Sequence, residues 1–592
     1  MAVVALLTLH AGLLGWIGLR NSPGLDEVAH LSAGLSHWKL GRFELYRVNP
    51  PLVRMVAAAP LLFLDVNTDW SDYTDAPYTR PEFSVGNRFF ELNGAKAFLY
   101  FTFARWMCIP LSLLGGLVVF AWARALFGRA SGLLALSLWC LSPNILGNAA
   151  MITPDAPAAS LGVTAAYFFW RWLKQPSWLG ATWSGLTLGI AELTKTTWIV
   201  LFGLMPALWL VWRIIERRRP LVTNPETSQE PKPATASIWQ LCAILLLAIY
   251  VVNSAYAFEG SFRPLSTFSF VSHALSGHQD HEPSNRFKDS WLGRVPMPVP
   301  ANYLKGIDTQ RYDFETGKDS YLGGVQKFGG WWYWYLYALA VKVPIGTWCL
   351  GVVAIIASWQ FRYVGASWRD QLVLLAPVAA VLILVSSQTG FTRYVRYVLP
   401  IAPFCFIWIG QVGRLIGRSR IGSGIVIGAT VLSIVSSLTT FPHSLSYFNE
   451  FAGGPLNGAD RLLDANIDWG QDLLYLKRWY DAHSENRPLY LQYFGFPPSA
   501  PQIAGIDSRP MPKIKSYSPD FDSPDVVTFE PALEPGWYAI SVNDLYAYKH
   551  FGPEMPWFSY LLPKTPTARA GYSIRIYQLS PRDVKAAERP HS

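Results

Sequence analysis

The stretch AFLYFTFARWMCIPLSLLGGLVVFAWA, residues 97–123, decides the fold class. It is longer than the roughly 20 predominantly apolar residues that a helix needs to cross a bilayer. It ends against two cations, Arg124 and Arg129. Working outward, further apolar stretches lie near 2–19, 131–149, 157–173, 178–194, 197–213, 238–257, 331–359, 371–387, 397–413 and 421–441. Ten or eleven spans result, with 131–149 and 178–194 the most diluted by Gly, Ser and Thr. Composition agrees. Of 592 residues, 51% are hydrophobic and only 15% charged, against roughly 25% charged in a soluble domain. A disordered chain, a disulfide-stapled secreted domain and an ordinary cytosolic enzyme are thereby excluded.

Lys and Arg beside the spans set the orientation. With eleven spans, five clusters fall on one side: Arg124/Arg129, Arg171/Lys174, Arg213 with Arg217 to Arg219, Arg362/Arg369, and Arg414/Arg418/Arg420. That side is expected to be the cytoplasm. The first span has neither a basic flank before it nor a cleavage site before Asn21, so it reads as a retained helix rather than a signal peptide. Outside lie 20–96, a short stretch near 150–156, 258–330, the small loop Gln388 to Arg396, and the tail. The expected organisation is a transmembrane domain over 1–441, including loops 20–96 and 258–330, and an extracytoplasmic α/β domain over 442–592. In the tail, 470–482 has helical periodicity, and 488–495, 536–543 and 572–579 alternate as strands. A connector rich in Pro, Thr and Glu covers 220–237. Cys108, Cys140, Cys242, Cys349 and Cys405 all sit in spans and form no C-x-x-C pair, which argues against disulfides and thiolate zinc. The net charge of +9 is mostly membrane-flanking, so nucleic acid is not implied.

The residues that can carry chemistry gather on the outer face. Asp26-Glu27-Val28-Ala29-His30 follows directly on the first span and opens a helix over 26–40 expected to lie along the surface. Asn49-Pro50-Pro51-Leu52-Val53-Arg54 precedes an apolar helix to Leu64. Asp155, in Thr153-Pro154-Asp155, stands at the outer end of a span pair. Ionisable groups at membrane segments point to function, although Asp26 and Asp155 also fit as helix-terminal acids. The pair could share a divalent metal, or one could act as base while the other orients substrate. Lys195, Arg393 and Arg396 are cations on a face where positive charge is disfavoured; a phosphate is their natural partner, headgroup snorkelling the alternative. His30, Arg54, Tyr397 and Trp469 are candidate substrate-binding residues. The run Trp331-Trp332-Tyr333-Trp334-Tyr335 fits an interfacial belt or a lipid or sugar contact. Asp464 to Asp472, around Trp469, reads equally as a carbohydrate-binding turn or as the turn that docks the tail. There is no P-loop, dinucleotide fingerprint, H-E-x-x-H or G-x-S-x-G.

Asp26-Glu27-x-x-His30, Pro50-Pro51-Leu52, Ser142-Pro143 with Thr153-Pro154-Asp155, Arg396-Tyr397-x-x-Pro400 and the segment Tyr447 to Asp472 together resemble the polyprenyl-phosphate-sugar-dependent glycosyltransferases of the GT-C fold. That group includes the protein O-mannosyltransferases and the aminoarabinose transferase of lipid A. The resemblance covers 20 to about 480. It implies a sugar donor on polyprenyl phosphate and a protein, glycan or lipid acceptor. It also implies Asp26 as catalytic base, Asp155 (with Glu27 beside Asp26) as further acidic site residues, and Lys195, Arg393 and Arg396 at the donor phosphate. Asn49 stands where many relatives have His, and metal use differs among relatives. The physics agrees: a phosphate leaving group needs cations, an acceptor hydroxyl needs one base, and in-line attack inverts the anomeric centre. A transporter or flippase of lipid-linked sugars is the alternative, but no pseudo-repeat or mid-membrane charge supports it. A non-catalytic scaffold is a third reading.

Overall fold

The computed structural model describes residues 1–217, 234–277, 282–360, 366–515, 527–548 and 556–588. Among these, seven helices are long and apolar enough to cross a membrane: Ala2–Arg20, Lys96–Phe127, Thr196–Glu216, Ser237–Ala255, Trp368–Ser387, Val395–Leu415 and Arg420–Thr440. Two bent pairs raise the number to nine. Arg129–Leu141 meets Pro143–Ala149 at 54°, and Trp334–Lys342 meets Ile345–Trp359 at 111°. Each break carries a proline, Pro143 or Pro344, whose ring and missing N–H end a helix. The stretch 331–359, which the sequence suggested as one span, is therefore two helices at a steep angle.

The remaining two expected spans are the helices Asp155–Lys174 and Trp178–Glu192. Asp155–Lys174 is buried along nearly its whole length. A helix shielded by protein on all sides can carry Ala, Ser and Thr where a lipid-facing one carries Leu and Ile, which fits the small residues of its first half. Most of the connector at 220–237 lies outside the described residues, and helix Ala234–Ala255 takes up its end.

Outside the bundle, Leu25–Leu40 does not lie along a surface. It is buried from Leu25 to His37 except at Asp26, covered by Leu52–Ala58 and Pro81–Asn93. At Gly34 a Cβ would stand 2.1 Å from the Arg54 carbonyl oxygen, so glycine permits the helix crossing. The tail first runs as short turns pressed into the bundle. Asn449 Nδ2 donates to the carbonyls of Ala340 (2.6 Å) and Val343 (2.8 Å), capping the broken helix pair. Beyond helix Leu473–Ala482 comes a five-stranded mixed sheet. Leu489–Gln492 runs parallel to Ser508–Pro510 and Gly536–Ser541, and Ile574–Leu579 runs antiparallel to Gly536–Ser541 and Ala568–Ala570. Leu473, Leu476 and Ile576 pack in one apolar cluster with Val28, Phe89 and Phe101, joining sheet, outer loop and bundle.

Candidate active site

A cavity of about 580 Å³ opens between the outer loops and the ends of the spans. Four segments distant in sequence deliver charged groups to it. Asp26 comes from the first turn of Leu25–Leu40, and Asp155 from the first residue of Asp155–Lys174. Lys195 comes from the turn after Trp178–Glu192, and Arg396 from the 3-10 segment Val395–Ile401. Lys195 Nζ donates to Asp155 Oδ1 at 2.6 Å, and Arg396 Nη2 to Asp26 Oδ2 at 2.9 Å. Arg396 Nε lies 3.8 Å from Asp155 Oδ2 and has no hydrogen-bond partner among the described residues. One guanidinium thus lies between the two carboxylates. Asp26 remains the more accessible, with an 18% exposed side chain against 3% for Asp155. Burial draws the Lys195 pKa below the usual lysine value against the opposing pull of Asp155.

Aromatic rings set the cations. Arg396 lies 3.8 Å from the Trp469 ring centroid and 4.5 Å from that of Tyr394, and Lys195 4.5 Å from that of Tyr397. Such contacts hold a cation in place while leaving its N–H groups free for other partners. Tyr397 and His30 line the cavity. His30 packs edge-on against Tyr46 at 4.2 Å, and burial, then the charges of Arg54, Arg396 and Arg80, push its pKa well below 6.5. Arg393 also reaches the wall, but Asp464 (3.1 Å) and the Tyr548 hydroxyl (2.9 Å) already hold it.

Three of the expected residues sit behind the wall. Glu27 is fully buried and accepts from Arg105 Nε (2.8 Å), Arg105 Nη2 (2.5 Å), Ile152 N (2.7 Å) and Gly24 N (2.7 Å). Arg105 also donates to the carbonyls of Gly18, Asn21 and Ser22. Glu27 is thus committed to fixing the turn that presents Asp26, and does not reach the cavity. Arg54 is buried behind Tyr46 and donates from Nε to His37 Nε2 at 2.7 Å. Burial lowers its pKa to about 10. Trp469 is 1% exposed, so it supports Arg396 and offers no open face to a sugar. Its carbonyl accepts from Leu25 N at 3.0 Å, and Ser22 Oγ donates to the Gly470 carbonyl at 2.6 Å. This turn docks the tail onto the start of the first loop.

Residues that the sequence did not single out complete the wall: Tyr46, Arg80, Gln310, Asp313 and Lys318. Arg80 bridges Glu82 (2.5 Å) and Asp313 (3.3 Å), tying the two outer loops together. They gave little signal in the sequence: Tyr46, Arg80 and Lys318 stand in irregular stretches, and Gln310 and Asp313 on the loop helix Ala301–Thr316. Arg105 had a clearer one, a lone cation inside the first-quoted span. Among the described residues no group of three or more His, Cys, Asp and Glu side chains could hold a metal ion. Asp26 and Asp155 instead face cations, a donor set that does not fit a divalent metal.

Two smaller spaces adjoin the cavity. A polar chamber of about 250 Å³ shares the wall residues Val48, Tyr78, Arg80, Val271 and Thr309 with it. A mostly apolar groove of about 200 Å³, with Ile199, Leu384 and Val385, shares Gln310, Phe314, Phe391 and Tyr397.

The model of a family described as dolichyl-phosphate-mannose-protein mannosyltransferase matches residues 99–227, which include Arg105, Asp155 and Lys195. No curated protein matches the chain. Among solved structures, ArnT from Cupriavidus metallidurans bound to undecaprenyl phosphate is 12% identical, with 99% of each chain covered and a TM-score of 0.43. The S. cerevisiae protein O-mannosyltransferase Pmt1-Pmt2 complex bound to the sugar donor is 12% identical over 74% of this chain and 90% of that one, TM-score 0.42. An Archaeoglobus fulgidus oligosaccharyltransferase is 13% identical over 84% and 59%, TM-score 0.41. The sequence resemblance and the family match thus meet: over the segment that supplies Asp155 and Lys195, this chain is similar to the mannosyltransferases that the family describes.

Proposed function

We propose that this protein is an inverting membrane glycosyltransferase. It moves a sugar from a polyprenyl phosphate donor to a hydroxyl acceptor on the extracytoplasmic face. The observation that carries the reading is the meeting of Asp26, Asp155, Lys195 and Arg396 in one cavity at the ends of the spans. The family match supports the donor class, and the arginine clusters between spans support the face.

In this reading the donor phosphate sits against Arg396 and Lys195, with its lipid chain leaving along the apolar groove past Phe314 and Phe391. The acceptor enters through the polar chamber at Tyr78 and Arg80. The acceptor oxygen attacks the anomeric carbon, the bond from that carbon to the phosphate oxygen breaks, and the acceptor proton passes to Asp26. The phosphate leaves as an anion held by the two cations. A phosphate that engages Arg396 draws it from Asp26 and frees the base when the donor is in place. Asp155 keeps Lys195 and Arg396 oriented.

Purified protein incubated with radiolabelled polyprenyl phosphate sugars and membrane extract is expected to consume a donor and label an acceptor. Asp26→Asn should lower transfer by about 10²- to 10⁴-fold, the usual worth of a positioned base. Folded wild-type protein that consumes no donor of the panel, or an Asp26→Asn variant with full activity, would overturn the proposal.

A further inference from the structure

A second cavity lies on the other side of the segment that carries Arg396. It measures about 360 Å³, and its walls come from the bent pair around Pro344 and from residues 395–409. In the 3-10 segment Val395–Ile401, side chains three apart share a face. Val395, Val398 and Ile401 line this second cavity, with Leu399 and Ala402 beside them. Arg393, Tyr394, Arg396 and Tyr397 line the active-site cavity instead. No residue lines both.

The second cavity is almost wholly apolar, and it opens toward the bilayer. On its open side stand Trp348, Val352 and Ile355, which are 44%, 55% and 52% exposed on a membrane-length helix pair. The sharp break at Pro344 creates the space by turning the second helix away from residues 395–409. Gly351 sits on the wall, and a Cβ built there would meet no atom within 4 Å. Apolar walls with a lipid-facing mouth fit hydrocarbon, and the three polar side chains on the wall, Ser142, Asn144 and Thr347, are already bonded to Ile145 N, the Lys342 carbonyl and Ser433. A different apolar space, the groove at Phe314 and Phe391, shares walls with the active-site cavity, and it is the exit that the proposed function gives the donor's own chain.

We infer that this cavity is a binding site for the acyl chain of a bilayer phospholipid, which backs the segment that presents Arg396. Occupancy stands apart from the catalytic reading; only the consequence for Arg396 rests on it. A chain in the cavity supports Val395, Val398 and Ile401 from behind, and so fixes the opposite face of the same short helix.

The test uses full-length protein in phosphatidylethanolamine–phosphatidylglycerol nanodiscs. These contain a trace of phosphatidylcholine bearing a diazirine at its acyl terminus. After irradiation and digestion, adducts are expected on Val398, Ala402 or Cys405. Gly351→Phe, which fills the open space, should reduce those adducts several-fold without changing the melting temperature. Adducts confined to Val352 and Ile355, with none on the inner wall, would overturn the inference. So would adducts abolished by excess polyprenyl monophosphate, which would assign the cavity to the donor chain. Neither outcome depends on sugar transfer, so the inference and the proposed activity fail separately.

Discussion

Asp26 and Asp155 share one guanidinium, and in the proposed function the geometry of that sharing carries the chemistry. Arg396 offers Nη2 to one acid while Nε stands 3.8 Å from the other. A lysine cannot serve both directions, because its charge sits at a point rather than on a planar fork. Arg396→Lys is therefore expected to lower transfer about 10²-fold or more, the loss seen when a charge-stabilising donor is removed. Steady-state assay against donor concentration checks this. Glu27 and Arg105 should behave differently. Breaking a buried pair by removing one partner costs about 3–5 kcal/mol, so Arg105→Met should lower thermal stability and extracted yield as well as activity. His30 adds a pH effect. Its pKa is depressed below 6.5 in the fold, so its neutral form is favoured there. The contribution is complete above pH 6.5 and is lost as pH falls further, when the unfolded chain gains a proton that the fold refuses. Melting temperature should drop on acidification below pH 6.5, with a shallower drop in His30→Gln.

The elements explain what the sequence made legible and what it did not. Asp155, Lys195 and Arg396 were readable because each interrupts or ends an apolar run, where a charge is conspicuous. Asp26 was readable because it opens a helix directly after a span. Arg80 and Asp313 were not, since Arg80 lies in an irregular stretch and Asp313 on the loop helix Ala301–Thr316, and their contact depends on two chain segments meeting. Pro344 was readable as a kink within 331–359 but not as a turn of 111°, because hydropathy measures length and composition and ignores direction. Trp469 carried two readings, and only its contacts with Arg396 and Leu25 separate them. The crossing at Gly34 gives a test at this scale. Gly34→Leu places side-chain atoms against the Arg54 carbonyl and should destabilise the outer layer by about 1–3 kcal/mol, the usual cost of overpacking. Thermal unfolding checks it.

At the level of the whole molecule, the first turns of the tail are hydrogen-bonded into the bundle. Lys342, buried in the bundle, donates to the carbonyls of Leu445 (2.9 Å) and Asn466 (2.6 Å). Removing residues beyond 441 takes away the two acceptors that this amino group has among the described residues, and a buried polar group without partners is costly. Such a truncation is expected to yield protein that aggregates on detergent extraction, measured by size-exclusion chromatography.

The bond from Ser22 to Gly470 joins residues 448 positions apart. A ribosome must therefore synthesise at least 470 of the 592 residues before the turn presenting Asp26 receives its final support. Nascent chains cut short of that point hold their spans but lack this anchor.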